Sequence, residues 1–504
     1  MKISNILLSV ALTISVVDSK VLNSNNIKRQ VGNGSPEHID YKHFSYNFNC
    51  LEDNNGSCNI VKESLNDSID VLESTFEFYN TIVFDVFVDN WEKYEMKAVG
   101  GIVIDTQYIA LKTGINEPPY IYSQALAKQL NLNKPVEFKE NDFNIIVTNK
   151  IQEKDILYRL ITHEMVHGLG FIDVYKMGHV SDGDSLDRIG MVNYNFNTNS
   201  NLTDVKILPR PLVQYDLENM KNCRDFNRGT VIGFSPMTVF EKNIVDINSK
   251  IKVLGGLENL YQEFSCLNDP NISDKDNIKE KCYEKVSLNS KKLMTEIPLK
   301  YYMKQDSIGF LTNNDSVVPL YTFNSKYISG SSVCHTNSDY YGYKYEEEED
   351  FEHYKEELKS NLKRNSTKTE TEINNFVEST EVKETYWEGK LSKYINENFL
   401  MNWVYLDKFS TEYLIKTLGK YNRHGLIGNG IVDILKTIGL TEKGEMKSNQ
   451  IYYIADDIKY PEQNTLKQIF KKKELKCISG SSNININIST TIIVSILLIL
   501  LSYF

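Results

Sequence analysis

The pattern of hydrophobic and polar residues predicts three strands before residue 150. The segment "NTIVFDVFVDNW" (80–91) alternates apolar with polar residues and is rich in β-branched and aromatic side chains, as strands are. The segments "GGIVIDTQYIAL" (100–111) and "DFNIIVTNK" (142–150) carry the same signature. Between these two, "PYIYSQALAKQL" (119–130) predicts a short helix.

The hydrophobic period changes after Gln152. Apolar residues now recur three and four positions apart, which is the spacing of one face of an α-helix. This predicted face is formed by Ile156, Leu157, Leu160, Ile161 and Val166. A mixed twisted sheet followed by such a helix predicts an α+β fold for the N-terminal part of the chain.

The rest of the chain gives weaker signals. A helix start is predicted in "GFSPMTVFEKNIVD" (233–246), a strand and a turn in "SVVPLYTFNSKYISGSSVCH" (316–335), and a closing helix in "GNGIVDILKTIGL" (428–440). Residues 343–395 are dense in charged residues and low in sequence complexity. That composition predicts a solvated or disordered insertion.

Both ends of the chain carry the patterns of targeting signals. About a dozen apolar residues follow Lys2 and precede the small residue Ser19, which predicts a signal peptide over residues 1–19. Residues 477–504 contain a small-residue cluster, a polar spacer and an apolar tail, the layout of a glycosylphosphatidylinositol (GPI) anchor signal. We therefore expect transport through the secretory pathway to the cell surface, with a secreted or tail-anchored protein as the alternative.

The net charge, the cysteines and the glycosylation motifs add to these expectations. The formal net charge of −11 argues against a nucleic-acid partner, because a phosphate backbone attracts a basic surface. Seven cysteines in a secreted chain predict disulfides with one cysteine left over, and Cys50 and Cys58 are near enough in sequence to close a small loop. Acceptor sites for N-glycosylation occur at Asn55, Asn66, Asn201, Asn271, Asn314 and Asn365.

The predicted helix contains the motif H-E-x-x-H, within "YRLITHEMVHGLGFID". Residues four apart share a helix face, so His163 and His167 point the same way and are able to bind one zinc ion (Zn²⁺). Glu164 lies beside them, where it would take a proton from a zinc-bound water. These residue types at this spacing predict metal-assisted hydrolysis, most simply of a peptide bond.

Zinc needs a third protein ligand, and the sequence offers more than one. Gly168 and Gly170 end the helix, and Gly170 is able to adopt the left-handed conformation that turns the chain back. Asp173, three residues after Gly170, is the local candidate, and His179 is a weaker one. The distant candidate is His335, in "GSSVCHTNSDYY".

The segment "HEMVHGLGF" resembles the active-site helix of leishmanolysin-like metzincin zinc proteases, and of fungal and other microbial proteins that carry H-E-x-x-H-G-L-G-F. In that family an inserted domain precedes the third histidine, and a methionine turn lies beneath the zinc ion. The resemblance implies zinc ligands at His163, His167 and His335, a catalytic Glu164 and a methionine turn at Met401.

Several features depart from that family. The link from His335 to Met401 is long where the family has a short one, so the charged run would loop out, at a cost in closure entropy that grows slowly with length. The seven cysteines cannot reproduce the disulfide set of leishmanolysin. Met237 and Met294 are rival positions for the methionine turn.

Together, these assignments predict the domain organisation of the chain. We expect a metzincin-like zincin fold with large insertions and a C-terminal subdomain. After the signal peptide we expect a leader or pro-segment (20–70) and an N-terminal catalytic subdomain with the zinc helix (71–170). An insertion and the lower catalytic subdomain (171–342), the charged insertion (343–395) and a C-terminal catalytic subdomain (396–476) follow, before the anchor signal.

The expected function is that of a zinc metalloendopeptidase that hydrolyses extracellular proteins or peptides and is held at the membrane by a lipid anchor. The strand "DFNIIVTNK" is expected at the sheet edge, where it would align an extended substrate by backbone pairing. The alternative is a catalytically inactive surface binding or adhesion protein on a metzincin scaffold, a reading motivated by the long insertion and weakened by the intact Glu164. A zinc amidase or esterase would use the same site on another bond.

Overall fold

A computed structural model describes residues 36–90, 100–103, 108–179, 205–215, 229–264, 285–322, 333–337, 349–402, 406, 409–456 and 458. Outside these ranges lie both predicted targeting signals, four cysteines and two of the six acceptor sites named above: Cys223, Cys266, Cys282, Cys477, Asn201 and Asn271. Among the helices that the structure describes, none has the length and apolarity to cross a membrane.

The described residues form ten α-helices: α1 (Ser57–Thr75), α2 (Gln124–Ala127), α3 (Lys154–Gly168), α4 (Leu260–Glu263), α5 (Leu288–Ile297), α6 (Glu349–Asn365), α7 (Glu370–Val377), α8 (Thr380–Tyr394), α9 (Thr411–Thr417) and α10 (Asn429–Ile438). They also form eighteen strands: β1 (Glu37–Tyr41), β2 (Phe44–Cys50), β3 (Phe76–Glu77), β4 (Ile82–Asp89), β5 (Gly100–Val103), β6 (Tyr108–Lys112), β7 (Tyr120–Ser123), β8 (Asn131–Leu132), β9 (Phe143–Thr148), β10 (Lys176–His179), β11 (Val205–Leu208), β12 (Pro211–Tyr215), β13 (Gly229–Phe234), β14 (Ile244–Asp246), β15 (Ile308–Leu311), β16 (Val317–Pro319), β17 (Thr441–Glu442) and β18 (Ile451–Ile454). The architecture is therefore mixed α+β.

A five-stranded mixed sheet is the centre of the N-terminal part. Its strands lie in the order β1-β2-β4-β9-β5. The three inner strands run parallel to one another, whereas β1 and β5 pair antiparallel at the two edges. The strands predicted at 80–91 and 142–150 are confirmed as β4 and β9.

The structure corrects the extent of two predictions about this region and overturns a third. The segment 100–111 forms two strands, β5 and β6, which belong to different sheets. The helix predicted at 119–130 is confined to α2, because the residues before it pair with β6 as β7. Finally, β9 is not an edge strand: it is buried along its whole length between β4 and β5, and β5 takes the edge position.

Helices α1 and α3 pack together over one face of this sheet. Small side chains on α1 allow a close approach, because Ser64 Oγ donates to the carbonyl of Lys154 at 3.3 Å and Ser68 Oγ to that of Tyr158 at 3.2 Å. In return, Thr162 Oγ1 donates to Ser68 Oγ at 3.0 Å. The motif helix α3 is therefore fixed between the sheet and a second helix.

Part of the segment predicted to be a leader belongs to this core. Residues 36–70 contain β1, β2 and most of α1, and β2 lies between β1 and β4. A disulfide joins Cys50 to Cys58 and closes the short loop between β2 and α1. The boundary predicted at residue 70 falls inside α1, because the Asn- and Ser-rich sequence obscures the apolar face of this helix.

The charged insertion is predicted to be solvated or disordered; its described part is helical with many exposed residues, so it is a solvated insertion and not a disordered one. Helices α6, α7 and α8 occupy most of residues 349–394. An aromatic contact between Phe351 and Tyr386, with ring centroids 4.9 Å apart, joins the first helix to the last. Described residues on the two sides of the insertion are in contact, because the Asn396 side chain donates to the carbonyl of Asn337 at 3.0 Å. We call this contact the neck of the insertion.

Because of this neck, replacing residues 343–394 by a short Gly-Ser linker should leave the remaining fold intact. We expect a loss of about 3–5 kcal/mol in the free energy of unfolding, since the deletion removes Leu391, which is fully buried in the hydrophobic core, and the contact of Trp387 with Phe409, whose ring centroids are 6.1 Å apart. Urea unfolding measures this loss. A second deletion that also removes residues 395–398 is the control and should abolish cooperative unfolding; the same result in the first variant would contradict the role of the neck.

The helix start predicted in "GFSPMTVFEKNIVD" is a single 3₁₀ turn, Glu241–Asn243. This turn begins with a capping box, the arrangement of hydrogen bonds that starts many helices. The N–H of Glu241 donates to Thr238 Oγ1 at 3.0 Å, and the N–H of Thr238 donates to Glu241 Oε2 at 2.7 Å. The helix does not continue, because Ile244 enters β14 and pairs with Phe310. By contrast, the closing helix predicted at 428–440 is confirmed as α10.

Candidate metal centre

The motif helix presents two histidines on one face, as their four-residue spacing predicts. The ring centroids of His163 and His167 are 4.7 Å apart, and their Nε2 atoms are 3.0 Å apart. Both side chains are buried, with 5% and 2% of their surface exposed. The two imidazoles therefore converge, and little of either side chain is exposed.

A backbone carbonyl orients each of these rings. The Nδ1 of His163 donates to the carbonyl of Leu400 at 2.6 Å, and that of His167 to the carbonyl of Phe171 at 2.7 Å. A carbonyl only accepts hydrogen bonds, so the proton lies on Nδ1 and the Nε2 lone pair of a neutral ring is left for a metal ion. Burial, followed by the nearby His167, lowers the pKa of His163 to about 3, which keeps that ring neutral near pH 7.

The turn after α3 brings the carbonyl of Phe171 back to His167. Gly170 has a φ of 112°, and its N–H donates to the carbonyl of His167 at 3.0 Å. A Cβ atom at Gly170 would lie 3.0 Å from the Leu126 side chain and 3.1 Å from that of Ile438. The positive φ favours glycine here, and a Cβ atom would also press on the ends of two side chains. The predicted left-handed Gly170 is confirmed.

The third histidine of the cluster comes from a segment far along the chain. His335 is held in place by the N–H of Tyr321, which donates to its carbonyl at 2.8 Å, and by a bridge between Leu320 and Thr336. The His335 ring lies 5.4 Å from that of His163 and 5.1 Å from that of His167, between centroids. Nitrogen atoms of the three side chains all lie within 4.8 Å of one another. The structure therefore brings His163, His167 and His335 together.

Asp173, the alternative third ligand, lies apart from this cluster. Its carboxyl is buried near Glu241 and raises the pKa of that group. Glu241 Oε1 also accepts the N–H groups of Val174 at 2.9 Å and Tyr175 at 2.6 Å, which fixes the chain that follows the glycine turn. Among the described side chains, only His335 joins the two motif histidines in a group able to hold a metal. The weaker candidate, His179, ends strand β10.

The predicted methionine turn lies against the histidine cluster. Phe399–Met401 form one 3₁₀ turn, and Met401 is fully buried. The N–H of Thr336, next to His335, donates to the carbonyl of Met401 at 2.9 Å. The carbonyl of Leu400, in the same turn, is the group that orients His163. The rival methionines lie on other elements, since Met237 pairs through its carbonyl with Ile121 and Met294 lies on α5.

The sequence analysis missed the residues that hold this turn. Thr336 Oγ1 donates to the carbonyl of Asn398 at 2.8 Å and to the side chain of Asn402 at 3.0 Å. The Asn398 side chain accepts the N–H of Ile431 at the start of α10, at 3.3 Å. A Cβ atom at Gly430 would lie 2.7 Å from the Asn398 amide nitrogen. The Gly-Asn-Gly run in the sequence was the available signal, because such glycines mark a close approach of backbones.

Arg159, one turn before His163 on α3, was also missed. Its guanidinium is buried, forms an ion pair with Asp155 at 3.2 Å, and donates to the carbonyls of Phe409 at 2.8 Å and Leu406 at 3.0 Å. A buried guanidinium with several acceptors fixes the segments that supply them. Arg159 therefore anchors the chain beyond the methionine turn to the motif helix.

The arrangement suits a metal ion with an adjacent carboxyl. Two Nε2 lone pairs that face each other at 3.0 Å repel unless a proton or a cation lies between them. Nitrogen ligands of a tetrahedral zinc ion are about 3.4 Å apart, close to this separation. Glu164, which lies between the two histidines in sequence, is fully buried. Three imidazoles without a thiolate fit zinc with one position left open for chemistry.

The pair formed by Asp173 and Glu241 gives a pH prediction. Burial, followed by Asp173, raises the pKa of Glu241 from 4.5 to about 7. Between these values the folded state holds a proton that the unfolded state lacks, so this group's contribution to stability falls as the pH rises from 4.5 to 7. Asp173→Asn removes the negative charge and should reduce that fall by about 1 kcal/mol.

Urea unfolding of chelator-treated protein at several pH values between 4.5 and 7.5 measures this effect. Asp456→Asn removes a charge from an exposed aspartate, which is 69% exposed at its side chain, and should keep the wild-type dependence. An unchanged pH dependence in Asp173→Asn would contradict the coupling of the two carboxyl groups.

A family model described as SPBPB7E8-like matches residues 15–351, which is more than half of the chain. The matched span includes the three clustered histidines and Glu164, and it ends before Met401. The chain matches no curated protein and no solved structure.

Proposed function

The chain belongs to the SPBPB7E8-like family, and we propose that it is a surface-anchored zinc metalloendopeptidase of the metzincin type, similar to leishmanolysin. The observation that carries this proposal is the convergence of His163, His167 and His335 in a buried site, with Glu164 on the same helix as two of them. The patterns at the two chain ends support secretion and a lipid anchor.

Two features beyond the histidines support the metzincin assignment. The motif helix ends in a turn at Gly170, after which the chain moves away and supplies the third histidine from a distant segment. A buried methionine turn at Met401 then contacts the segments of both His163 and His335 through its backbone. This combination is what the resemblance to leishmanolysin implies for a metzincin site.

Each residue of the site has a separate role in the proposed hydrolysis of a peptide bond. His163, His167 and His335 would hold the zinc ion, and the carbonyls of Leu400 and Phe171 keep two of these rings oriented. A zinc ion held there would act as a Lewis acid that makes water a nucleophile near neutral pH and polarises a peptide carbonyl. Glu164 would take a proton from the attacking water as the C–O bond forms and pass it to the nitrogen of the leaving amine as the C–N bond breaks.

Strand β5, at the edge of the main sheet, is suited to align an extended substrate. It pairs antiparallel with β9 through Gly100–Val103, and its position at the end of the sheet order gives it one side without a strand neighbour among the described residues. A peptide added to such an edge gains backbone hydrogen bonds that do not depend on its sequence. β5 thus takes the role that was expected of "DFNIIVTNK".

The proposal is tested by measuring zinc content and casein cleavage on the same samples of purified residues 20–478. We expect one zinc ion per chain by elemental analysis, loss of cleavage after treatment with 1,10-phenanthroline, and recovery after zinc is added back. A folded chain that binds no zinc would overturn the assignment. A chain that holds zinc and cleaves neither proteins nor peptides would favour the inactive binding protein, and cleavage of esters or amides alone would favour the related hydrolase.

A further inference from the structure

A second cavity lies outside the histidine cluster. It is bounded by the loop after β6, by Tyr120 at the start of β7, and by parts of residues 242–262. Its volume is about 520 Å³, within the range of roughly 300–1,000 Å³ that is typical of small-molecule sites. None of the zinc-site residues lines it. The proposed peptidase activity therefore gives this cavity no role.

Three lysines converge on the cavity from different parts of the chain. Lys112 ends β6, Lys242 lies in the 3₁₀ turn, and Lys252 follows β14. Among the ion pairs of the described residues, none involves any of these three ammonium groups. The chain as a whole is acidic, with 67 Asp and Glu residues against 56 Lys and Arg residues. At this cavity the balance is reversed, because three lysines face only two carboxylates, those of Glu117 and Glu258.

Lys242 is the cavity lysine that lies against the Tyr120 ring. Its side chain is half-buried, with Nζ 4.7 Å from the centroid of the Tyr120 ring. Burial, followed by the positive charge of Lys252, lowers the pKa of Lys242, and the opposing effect of Glu117 is smaller. The other carboxyl at the cavity, that of Glu258, accepts the N–H of Gly256 at 2.8 Å. A bound anion would supply the missing negative charge.

We propose that this cavity binds a small organic anion, whose carboxylate or phosphate group contacts Lys242 and Lys252. An apolar or ring-shaped part of the ligand packs against Tyr120 and Pro119, both of which are buried. The carboxamide of Asn259, also in the lining, is available for hydrogen bonds to polar substituents of the ligand. The inference rests on the geometry of the cavity and does not depend on the zinc site.

Isothermal titration of the purified chain with phenyl phosphate, benzoate and benzyl alcohol tests this site. We expect the two anions to bind with dissociation constants below about 1 mM and the neutral alcohol to bind at least about tenfold more weakly. The double variant Lys242→Gln and Lys252→Gln should weaken the binding of the anions by about tenfold or more. Inorganic phosphate serves as a probe of the charge alone and should bind more weakly than phenyl phosphate.

The matched control is Lys416→Gln, which removes one charge from an exposed lysine on α9. It should bind both anions as the wild type does. Circular dichroism and zinc content of the double variant should equal those of the wild type, which separates loss of this site from unfolding and from loss of the metal centre. Absence of anion binding to the wild type, equal binding of benzyl alcohol, or unchanged binding in the folded double variant would each overturn the proposal.

Discussion

Glu164→Gln should lower casein cleavage by about 10²–10⁴-fold while the protein stays folded and keeps its zinc. Glutamine has nearly the same shape as glutamate, so the fully buried position on α3 remains filled. It cannot accept a proton from water near neutral pH, and the proposed reaction therefore loses its base. The expected loss lies mainly in kcat, because the substituted group takes part in proton transfer and not in holding the peptide.

The control for this variant is Glu153→Gln, which makes the same chemical change at an exposed residue immediately before the motif helix. Its cleavage rate and zinc content should equal those of the wild type. Retention of full activity in Glu164→Gln would reject the proposed role of the carboxyl. Loss of both zinc and folded structure would instead identify a structural role for Glu164, and the peptidase assignment would lose its base.

His335→Ala should remove zinc from the purified chain, and Asp173→Asn should not. The His335 side chain is 1% exposed and shares one small space with the two motif histidines, whereas Asp173 lies near Glu241. Loss of a direct ligand should weaken zinc binding by more than the about 10–100-fold that loss of an outer-shell hydrogen bond costs. Elemental analysis after dialysis against a weak chelator measures the difference.

A third variant, Thr336→Val, should be compared with His335→Ala and Asp173→Asn. It removes the hydroxyl hydrogen bonds to Asn398 and Asn402 and leaves all three imidazoles in place. We expect it to bind zinc more weakly than wild type and more tightly than His335→Ala. If Asp173→Asn loses zinc and His335→Ala retains it, the metal site is local to the motif helix. The third ligand implied by the resemblance would then be wrong.

Local features of the fold were predictable because they depend on short-range periodicity. The helix that carries His163 and His167 follows from apolar residues at helical spacing, and the turn after it follows from Gly170. Strands β4 and β9 follow from their β-branched and aromatic residues. The order of strands could not be predicted in this way. The alternation of apolar and polar residues predicts that a segment is a strand, but it does not predict which strand lies beside it, as in the pairing of β5 with β9.

The remaining parts of the site depend on contacts between distant segments. Spacing alone left His335 and Asp173 both open, and only the resemblance favoured His335. Arg159 belongs to no motif, and its role depends on the carbonyls of Leu406 and Phe409, which lie far along the chain. The helices of the charged insertion were not predicted, because composition averages over its aromatic contacts and over the capping box at Thr369 that starts α7. Composition measures net polarity and does not register such specific pairs.

The hydrogen bond between His163 and Leu400 has a consequence for the order in which the site is made. The two residues are separated by 237 positions. After the ribosome has added His163, it must therefore add most of the remaining catalytic region before the Leu400 carbonyl, which orients the His163 ring, is present. His335 is likewise synthesised long after the motif helix. A nascent chain therefore carries an unfinished site until the methionine turn emerges. The proposed peptidase would therefore acquire its activity only after the methionine turn has been synthesised.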